Sequence, residues 1–228
     1  MSDNIEVNPS DVVFLQTLGE SKYSVIFKVA IRDEVKVMKV YHDRRPSEHD
    51  SPGCEVNPFV CESSAYRRLK EKGLCKRGVV PDFYGTIVKI QPNLWPSLHM
   101  FSADVLLPNA ILLEYIPNMR QMDLSIFSEH RLNELNRILH DIHRAGVLHG
   151  DPDPRNMMVC PGRCGKQDRV LWIDFDSAQL LSEHNLSPQQ KTQLQDENEL
   201  MDYFVKSLPE DYREGRLNRT WVYYYTRK

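Results

Sequence analysis

Two short stretches carry most of the chemistry available to this chain. His149-Gly150-Asp151-Pro152-Asp153-Pro154-Arg155-Asn156 is followed, beyond an apolar run, by Trp172-Ile173-Asp174-Phe175-Asp176. Carboxylate and amide oxygens crowded in this way repel one another unless a cation sits among them, and hard oxygen ligands select Mg²⁺ over softer metals. Such a set suits the handling of phosphate groups.

These residues need elements to hold them. Residues 156–160 and 169–173 read as paired strands joined by a Gly- and Pro-containing turn over 161–168, which brings Asp151 and Asp174 near one end of a hairpin. Upstream, Ser128 can cap a helix over residues 129–145. Leu132, Leu135, Leu139 and Ile142 lie on one face of that helix and Gly146 stops it, just before the His149 loop.

The first half of the chain has a different texture. Residues 12–18 and 24–31 are β-prone runs around the turn formed by residues 19–23. A third strand, 34–41, sets Val35, Val37 and Lys39 on one face and Lys36, Met38 and Val40 on the other. Lys39 therefore sits mid-strand among apolar neighbours and must either snorkel to water or meet an acid. The next helix, over 58–72, offers one. Asn57 suits its N-cap, Pro58 its first position and Gly73 its stop. Glu62 falls on the same stripe as Phe59, Tyr66 and Leu69, so its carboxylate is on the buried side, where a charge is costly unless paired. Lys39 is the natural partner.

Residues 44–53 read as a polar linker, 83–90 as a fourth strand, 91–109 as a long irregular loop and 110–115 as another strand. After Asp176, a helix over about 187–208 with a break near its middle is predicted, then an aromatic tail from Trp221 that is expected to pack.

Bulk properties exclude several classes. A formal net charge of −3 over 228 residues argues against a general nucleic-acid binder, whose phosphate contacts call for a basic surplus. No apolar run approaches the roughly 20 residues of a membrane span, and the polar start does not form a signal-peptide core, so the expected setting is cytoplasmic. Cys54, Cys61, Cys75, Cys160 and Cys164 are odd in number and irregularly spaced, which fits reduced thiols. Cys160 and Cys164 could supply two zinc ligands, but no second Cys or His pair with finger-like spacing follows them.

The order of these motifs resembles the protein kinase-like superfamily. The spacing H-x-D-x-x-x-x-N, then a strand ending in D-F-x, matches the catalytic and metal-binding loops of that family. The resemblance spans roughly residues 12–176. It implies an α+β, two-lobed kinase-like fold, with an N-terminal lobe over 1–113 and a truncated, mainly helical C-terminal lobe over 114–228. It also implies ATP and Mg²⁺ as cofactors and an unidentified hydroxyl-bearing acceptor.

Roles follow residue by residue from the resemblance. Gly19 and Ser21 would lie in the phosphate-covering loop, where Ser21 and Ser24 replace the second and third glycines of G-x-G-x-x-G. Lys39 would contact the phosphates with Glu62 holding it. Leu113 would back the adenine pocket, and backbone groups of Glu114 and Ile116 would bond the adenine edge. Asp151 would take or orient the acceptor's proton, and Asn156 and Asp174, with Asp176 beside them, would hold the metal. His149 would be structural, its ring bonding backbone near the metal-binding turn.

Departures from the family pattern narrow the reading. Asp176 replaces the glycine of D-F-G and Gly150 the arginine of H-R-D. Asp153 stands where serine/threonine kinases carry a lysine, a charge that Arg155 could replace; alternatively Arg155 forms a surface ion pair with Asp153. No A-P-E segment follows. The match is closest to compact atypical members, including fungal ones with H-G-D-x-x-x-R-N. A pseudokinase scaffold is the competing class.

Overall fold

The structure, a computed structural model, describes residues 3–44, 47, 54–162, 167–182 and 185–225. The predicted linker over 44–53 lies largely outside the described residues, as do residues 163–166 of the predicted turn, Cys164 among them. The chain mixes α and β structure, with a sheet-rich N-terminal part and most of the helices later. It forms two compact units. One is the chain up to Arg67 together with Asp82–Tyr115, and the other is Arg68–Pro81 together with the chain from Ile116 onward. No helix among the described residues is long and apolar enough to cross a membrane.

The first unit is built on a five-stranded antiparallel sheet of β1 (Val12–Glu20), β2 (Ser24–Ile31), β3 (Glu34–Tyr41), β4 (Phe83–Ile87) and β5 (Asn109–Glu114), in the order β1-β2-β3-β5-β4. Alternation along β2 buries Val25, Phe27, Val29 and Ile31 against Met38, Val40 and Leu112. β4 stops short of the predicted residue 90. Lys89 has a left-handed φ of 54° and gives its N–H to the Asn109 side chain, which ends the ladder. The sheet is crossed by helix α1 (Pro58–Glu71), whose first turn is capped as predicted by Asn57 Oδ1, accepting from the N–H of Phe59 and Val60.

The predicted loop over 91–109 holds for 102–108, but its first part is ordered. Two 3-10 turns, Pro92–Leu94 and Pro96–Phe101, place Trp95, Leu98 and Phe101 in the core at 5% exposure or less. The prolines supply the φ that starts each turn, and the kink at Leu98 (φ −108°, ψ 24°) lies between two buried rings, Trp95 and Phe101.

The exposed edge of β4 is covered by the N-terminal segment. Ile5 donates to the Thr86 carbonyl at 2.7 Å and Thr86 to that of Asp3 at 2.8 Å. Gly85 makes this approach possible: at φ +142° a Cβ there would lie 2.4 Å from the Asp3 carbonyl oxygen. Covering the edge removes a row of unpaired backbone groups that would otherwise template aggregation.

The second unit holds the short helix α2 (Leu74–Arg77), helix α3 (Glu129–Arg144), two small sheets and helix α4 (Pro188–Glu214). The sheets are β6 (Arg120–Gln121), β8 (Met157–Cys160) and β9 (Arg169–Trp172) in the order β6-β8-β9, and β7 (Val147–Leu148) with β10 (Gln179–Leu180). Ser128 caps α3 through the Arg131 N–H, and the predicted apolar face is buried with Ile138 added.

α4 is one unbroken helix that ends six residues later than predicted. It opens on a capping box between Ser187 and Gln190 and ends at Gly215 in the left-handed conformation, so Pro209 does not terminate it. Its buried positions 197, 201, 204, 208 and 211 step by four and three along one face, apolar in the middle and acidic at both ends. The aromatic tail packs only in part. In α5 (Trp221–Tyr225) the flanking Trp221 and Tyr225 are 49% and 62% exposed, while Tyr223 meets Phe204 edge-on at 5.0 Å. A single helical turn cannot turn every ring inward.

Asp211 clamps the segment that follows α4. Fully buried, it accepts from the backbone N–H of Arg219 and Thr220 at 3.0 Å each and from the Thr220 hydroxyl at 2.7 Å. Burial opposes its charge, but these donors hold its pKa down at about 2, against an ordinary 3.8. A depressed carboxylate contributes stability that is complete above the unfolded value, near pH 4, and lost as pH falls through the folded value. The contribution is on the order of 1–2 kcal/mol after allowing for solvent screening. Asp211→Asn is expected to remove it already at neutral pH and to flatten the acid limb between pH 4 and 2. Urea unfolding across that range checks this; parallel curves for the two proteins would refute it.

Candidate functional site

In the first unit the alternation of β3 turns Lys39 and Tyr41 to the same side, towards α1. Lys39 is 4% exposed and Glu62 1%. The Lys39 ammonium donates to Glu62 Oε2 at 2.7 Å, and the Tyr41 hydroxyl donates to that same oxygen at 2.5 Å. The pairing is the one that strand and helix periodicity predict, and it excludes snorkelling. Tyr41, absent from the sequence prediction, is the third member. Its signal was available, since it lies two residues beyond Lys39 on the same face.

Ser21 and Gly19 lie at the β1–β2 turn. The hairpin is closed by serine chemistry: Ser21 N–H donates to the Ser24 carbonyl at 2.9 Å, and Ser21 Oγ accepts from the N–H of Tyr23 and Ser24 at 3.2 and 3.1 Å. The N–H groups of Tyr23 and Ser24 are thus engaged within the turn. Position 19 makes no steric demand for glycine, because a Cβ there would meet only Ile26 Cδ1 at 3.8 Å. At the end of β5, Leu113 is buried, and the Glu114 N–H already donates to the Asp82 carbonyl at 2.9 Å. In the second unit Ile116 packs with Met158 and Leu171.

The loop that follows β7 carries Asp151, Arg155 and Asn156. Arg155 grips Asp151 with two nitrogens, Nη2 at 2.7 Å from each carboxylate oxygen and Nε at 3.1 Å from Oδ2. Asn156 donates its amide to the Asp151 carbonyl and to Oδ2, both at 2.8 Å. The surface pair of Arg155 with Asp153 is corrected in two respects. Asp153 is fully buried, 3.5 Å from the guanidinium, and the closer partner is Asp151. Burial opposes the Arg155 charge, but hydrogen bonds to Asp151 and the charges of Asp151, Asp153 and Asp174 outweigh it and raise its pKa.

Gly150 has a φ of +80°, and a Cβ on it would fall 2.1 Å from the Ser177 carbonyl oxygen. The chain after Asp176 therefore closes directly over residue 150, which is why no arginine stands there. Asp174, the residue between β9 and that turn, has a left-handed φ of +66°, uncommon for a non-glycine residue and typical of backbone held at a functional turn. Carboxylate oxygens of Asp174 and Asp176 come within 4.8 Å of one another.

His149 does not bond backbone through its ring. It is wholly buried with neither ring nitrogen hydrogen-bonded among the described residues, and it lies 4.6 Å from the Phe175 ring and 5.1 Å from that of Trp172. Burial lowers its pKa, against the opposing charges of Glu197, Asp151 and Asp174, so the ring is neutral packing material.

Glu197 of α4 is the residue missed in the sequence. Its carboxylate, 7% exposed, accepts from the N–H of His149 at 3.1 Å, the N–H of Gly150 at 2.5 Å and His143 Nε2 at 2.7 Å. It fastens the loop backbone to the helix. The same logic that flags Glu62, an acid on a buried stripe, would have found it.

The donor set fits Mg²⁺. With its amide nitrogen committed to Asp151, Asn156 would offer Oδ1, and Asp174 and Asp176 would add carboxylate oxygens, all hard donors.

No family model matches the chain. Over 152 residues, 64% of the chain, it is 23% identical to the mitotic checkpoint serine/threonine-protein kinase bub-1 of Caenorhabditis elegans. Over 172 residues, 75% of the chain, it is 23% identical to the serine/threonine-protein kinase PKH3 of Saccharomyces cerevisiae. The matched stretches cover 13% and 17% of those two proteins. The chain is thus distantly similar to serine/threonine protein kinases.

Proposed function

We propose that this chain is an ATP- and Mg²⁺-dependent phosphotransferase of compact, atypical kinase-like fold, with lobes near 1–113 and 114–228, that transfers the γ-phosphate to a hydroxyl acceptor. The observation that supports it most is the buried Lys39–Glu62 pair. Desolvating two charges costs several kcal/mol each, and a core of the same volume would be at least as stable without them. An ammonium kept at that cost has a use in meeting phosphate oxygens.

Each residue then has a task. Lys39 meets the phosphates and Glu62 orients it. The turn at Gly19 and Ser21 lies over the phosphates, and Leu113, Glu114 and Ile116 face the adenine. Asn156, Asp174 and Asp176 hold Mg²⁺, which when bound screens the charge of the phosphate oxygens. Asp151 accepts the acceptor's proton, and Arg155 supplies the cation missing at Asp153. Such an array acts by positioning and electrostatics. Asp151 must first be released from its grip by Arg155, a rotation that the approach of a phosphate, itself a good guanidinium ligand, favours.

That grip, with the serine-closed hairpin, also supports a second reading: a scaffold that binds nucleotide without transferring phosphate. Mg-ATP at 100 times its Kd is expected to add about 2.7 kcal/mol, raising the melting temperature by roughly 5–10 °C. Asp174→Ala should abolish the rise. An unchanged melting temperature in wild type would sink both readings. Transfer of labelled γ-phosphate to acceptors in lysate by wild type but not by Asp151→Ala separates enzyme from scaffold.

A further inference from the structure

We infer that Tyr41 is a positioning residue for the Lys39–Glu62 pair, sharing Glu62 Oε2 so that its hydroxyl keeps that oxygen hydrogen-bonded when the Lys39 ammonium turns to phosphate. The inference rests on the phosphotransfer reading and assigns a further residue to its site.

The geometry is specific. Two donors from one strand face converge on a single oxygen, Glu62 Oε2, at 2.7 Å from Lys39 Nζ and 2.5 Å from the Tyr41 hydroxyl. The Tyr41 ring is fully buried and meets Phe59, one turn before Glu62 on α1, at a centroid distance of 5.8 Å and 62°. It cannot swing away without opening that contact. The ammonium also lies 5.4 Å from the centre of the Tyr41 ring, within range of a cation–π attraction.

The chemistry follows from the shared acceptor. An oxygen that accepts two hydrogen bonds donates less charge to each, so the Tyr41 hydroxyl weakens the hold of Glu62 on the ammonium. When phosphate oxygens compete for Lys39, Glu62 must surrender part of its strongest interaction, and a buried carboxylate losing a donor is penalised. The tyrosine hydroxyl stays in place and keeps the carboxylate bonded and oriented. Phenylalanine at this position fills the core equally well but gives no such support. A tyrosine that merely satisfies its own hydroxyl in the core would have no influence on phosphate affinity.

The test uses the full chain and compares affinity for Mg-ATP with affinity for adenosine, which lacks phosphates. One hydrogen bond of ordinary net strength corresponds to about a threefold to tenfold change. Tyr41→Phe is expected to weaken Mg-ATP by that factor, to leave adenosine unchanged, and to have no further effect on Mg-ATP in a Glu62→Gln background. Equal losses for both ligands, or an undiminished loss in the Glu62→Gln background, would overturn the inference.

If wild type binds neither ligand, the nucleotide reading fails, and the shared carboxylate is tested separately by following the titration of Lys39 with NMR of ¹³Cε-labelled lysine. Tyr41→Phe should then move the Lys39 midpoint upward, because the Tyr41 hydroxyl no longer competes for Glu62 Oε2, and an unmoved midpoint overturns the inference. Should Tyr41→Phe not fold, 3-fluorotyrosine at position 41, a stronger donor of nearly the same volume, should move the midpoint downward, and no movement counts against it.

Discussion

Gly150→Ala is expected to lower the melting temperature by about 10 °C and to abolish any response to Mg-ATP. At φ +80° the new methyl would stand 2.1 Å from the Ser177 carbonyl oxygen and 2.6 Å from its carbon. Both atoms are backbone, so no side chain can rotate away. Relief requires moving either the His149 loop or the turn in which Ala178 N–H donates to the Phe175 carbonyl at 3.0 Å. That turn leads into β10, which pairs Gln179 with Leu148 just before the loop, so the displacement acts on both ends of the same small sheet. Left-handed strain alone costs about 1–2 kcal/mol. With the clash, a total of 3 kcal/mol or more is reasonable, and at roughly 2–4 °C per kcal/mol the transition falls by about 10 °C. Differential scanning calorimetry measures it; a fall of under 2 °C would mean that the turn is free to move and that Gly150 has no structural reason to be glycine.

Glu197→Ala should be nearly as damaging, by a different route. The substitution leaves the buried N–H of His149 and the part-buried N–H of Gly150 without their acceptor and strips His143 of its own. An orphaned buried donor costs about 1–3 kcal/mol and the part-exposed Gly150 N–H less, which puts the total near 2–4 kcal/mol. Glu197→Gln should recover part of the loss, because its single carbonyl oxygen still accepts from one N–H while its amide nitrogen faces the other. Amide hydrogen exchange gives the site-specific measure. His149 and Gly150 are expected to exchange far faster in Glu197→Ala than in wild type, with Glu197→Gln between them. Equal protection in wild type and Glu197→Ala would remove Glu197 as the anchor of the loop.

Both effects concern how the loop is held, and neither was legible where the loop itself was. The sequence marked the loop by residue type and spacing, but the acceptor that fixes its backbone lies 48 residues beyond His149, on α4. Lys39 and Glu62 were easier. Each reveals itself by local periodicity, a charge in the middle of a β3 face and an acid on the buried stripe of α1, and two buried opposite charges seek one another. Asn57 and Ser128 were legible for the same reason, since a helix cap is satisfied within three residues.

Errors arose where composition stood in for packing. Prolines between 91 and 109 read as loop, yet they start the 3-10 turns that bury Trp95, Leu98 and Phe101. His149 read as a hydrogen-bonding ring, but Phe175 and Trp172 close on it and make it packing. The alternative of a surface pair between Arg155 and Asp153 missed that the fold buries Asp153, leaves it 3.5 Å away and brings the guanidinium closer to Asp151.

By itself the sequence determined the strands of the first unit, the caps of its main helices, the Lys39–Glu62 pair and the acidic loop, because each depends on backbone periodicity or on partners a few residues away. Only the tertiary structure decided that Tyr41 shares the Glu62 carboxylate, that Glu197 holds the His149 loop and that Gly150 lies under Ser177. Repeats of 2 and 3.6 residues place Tyr41 and Glu197 on buried faces, but which group a distant element brings against each of them they do not encode.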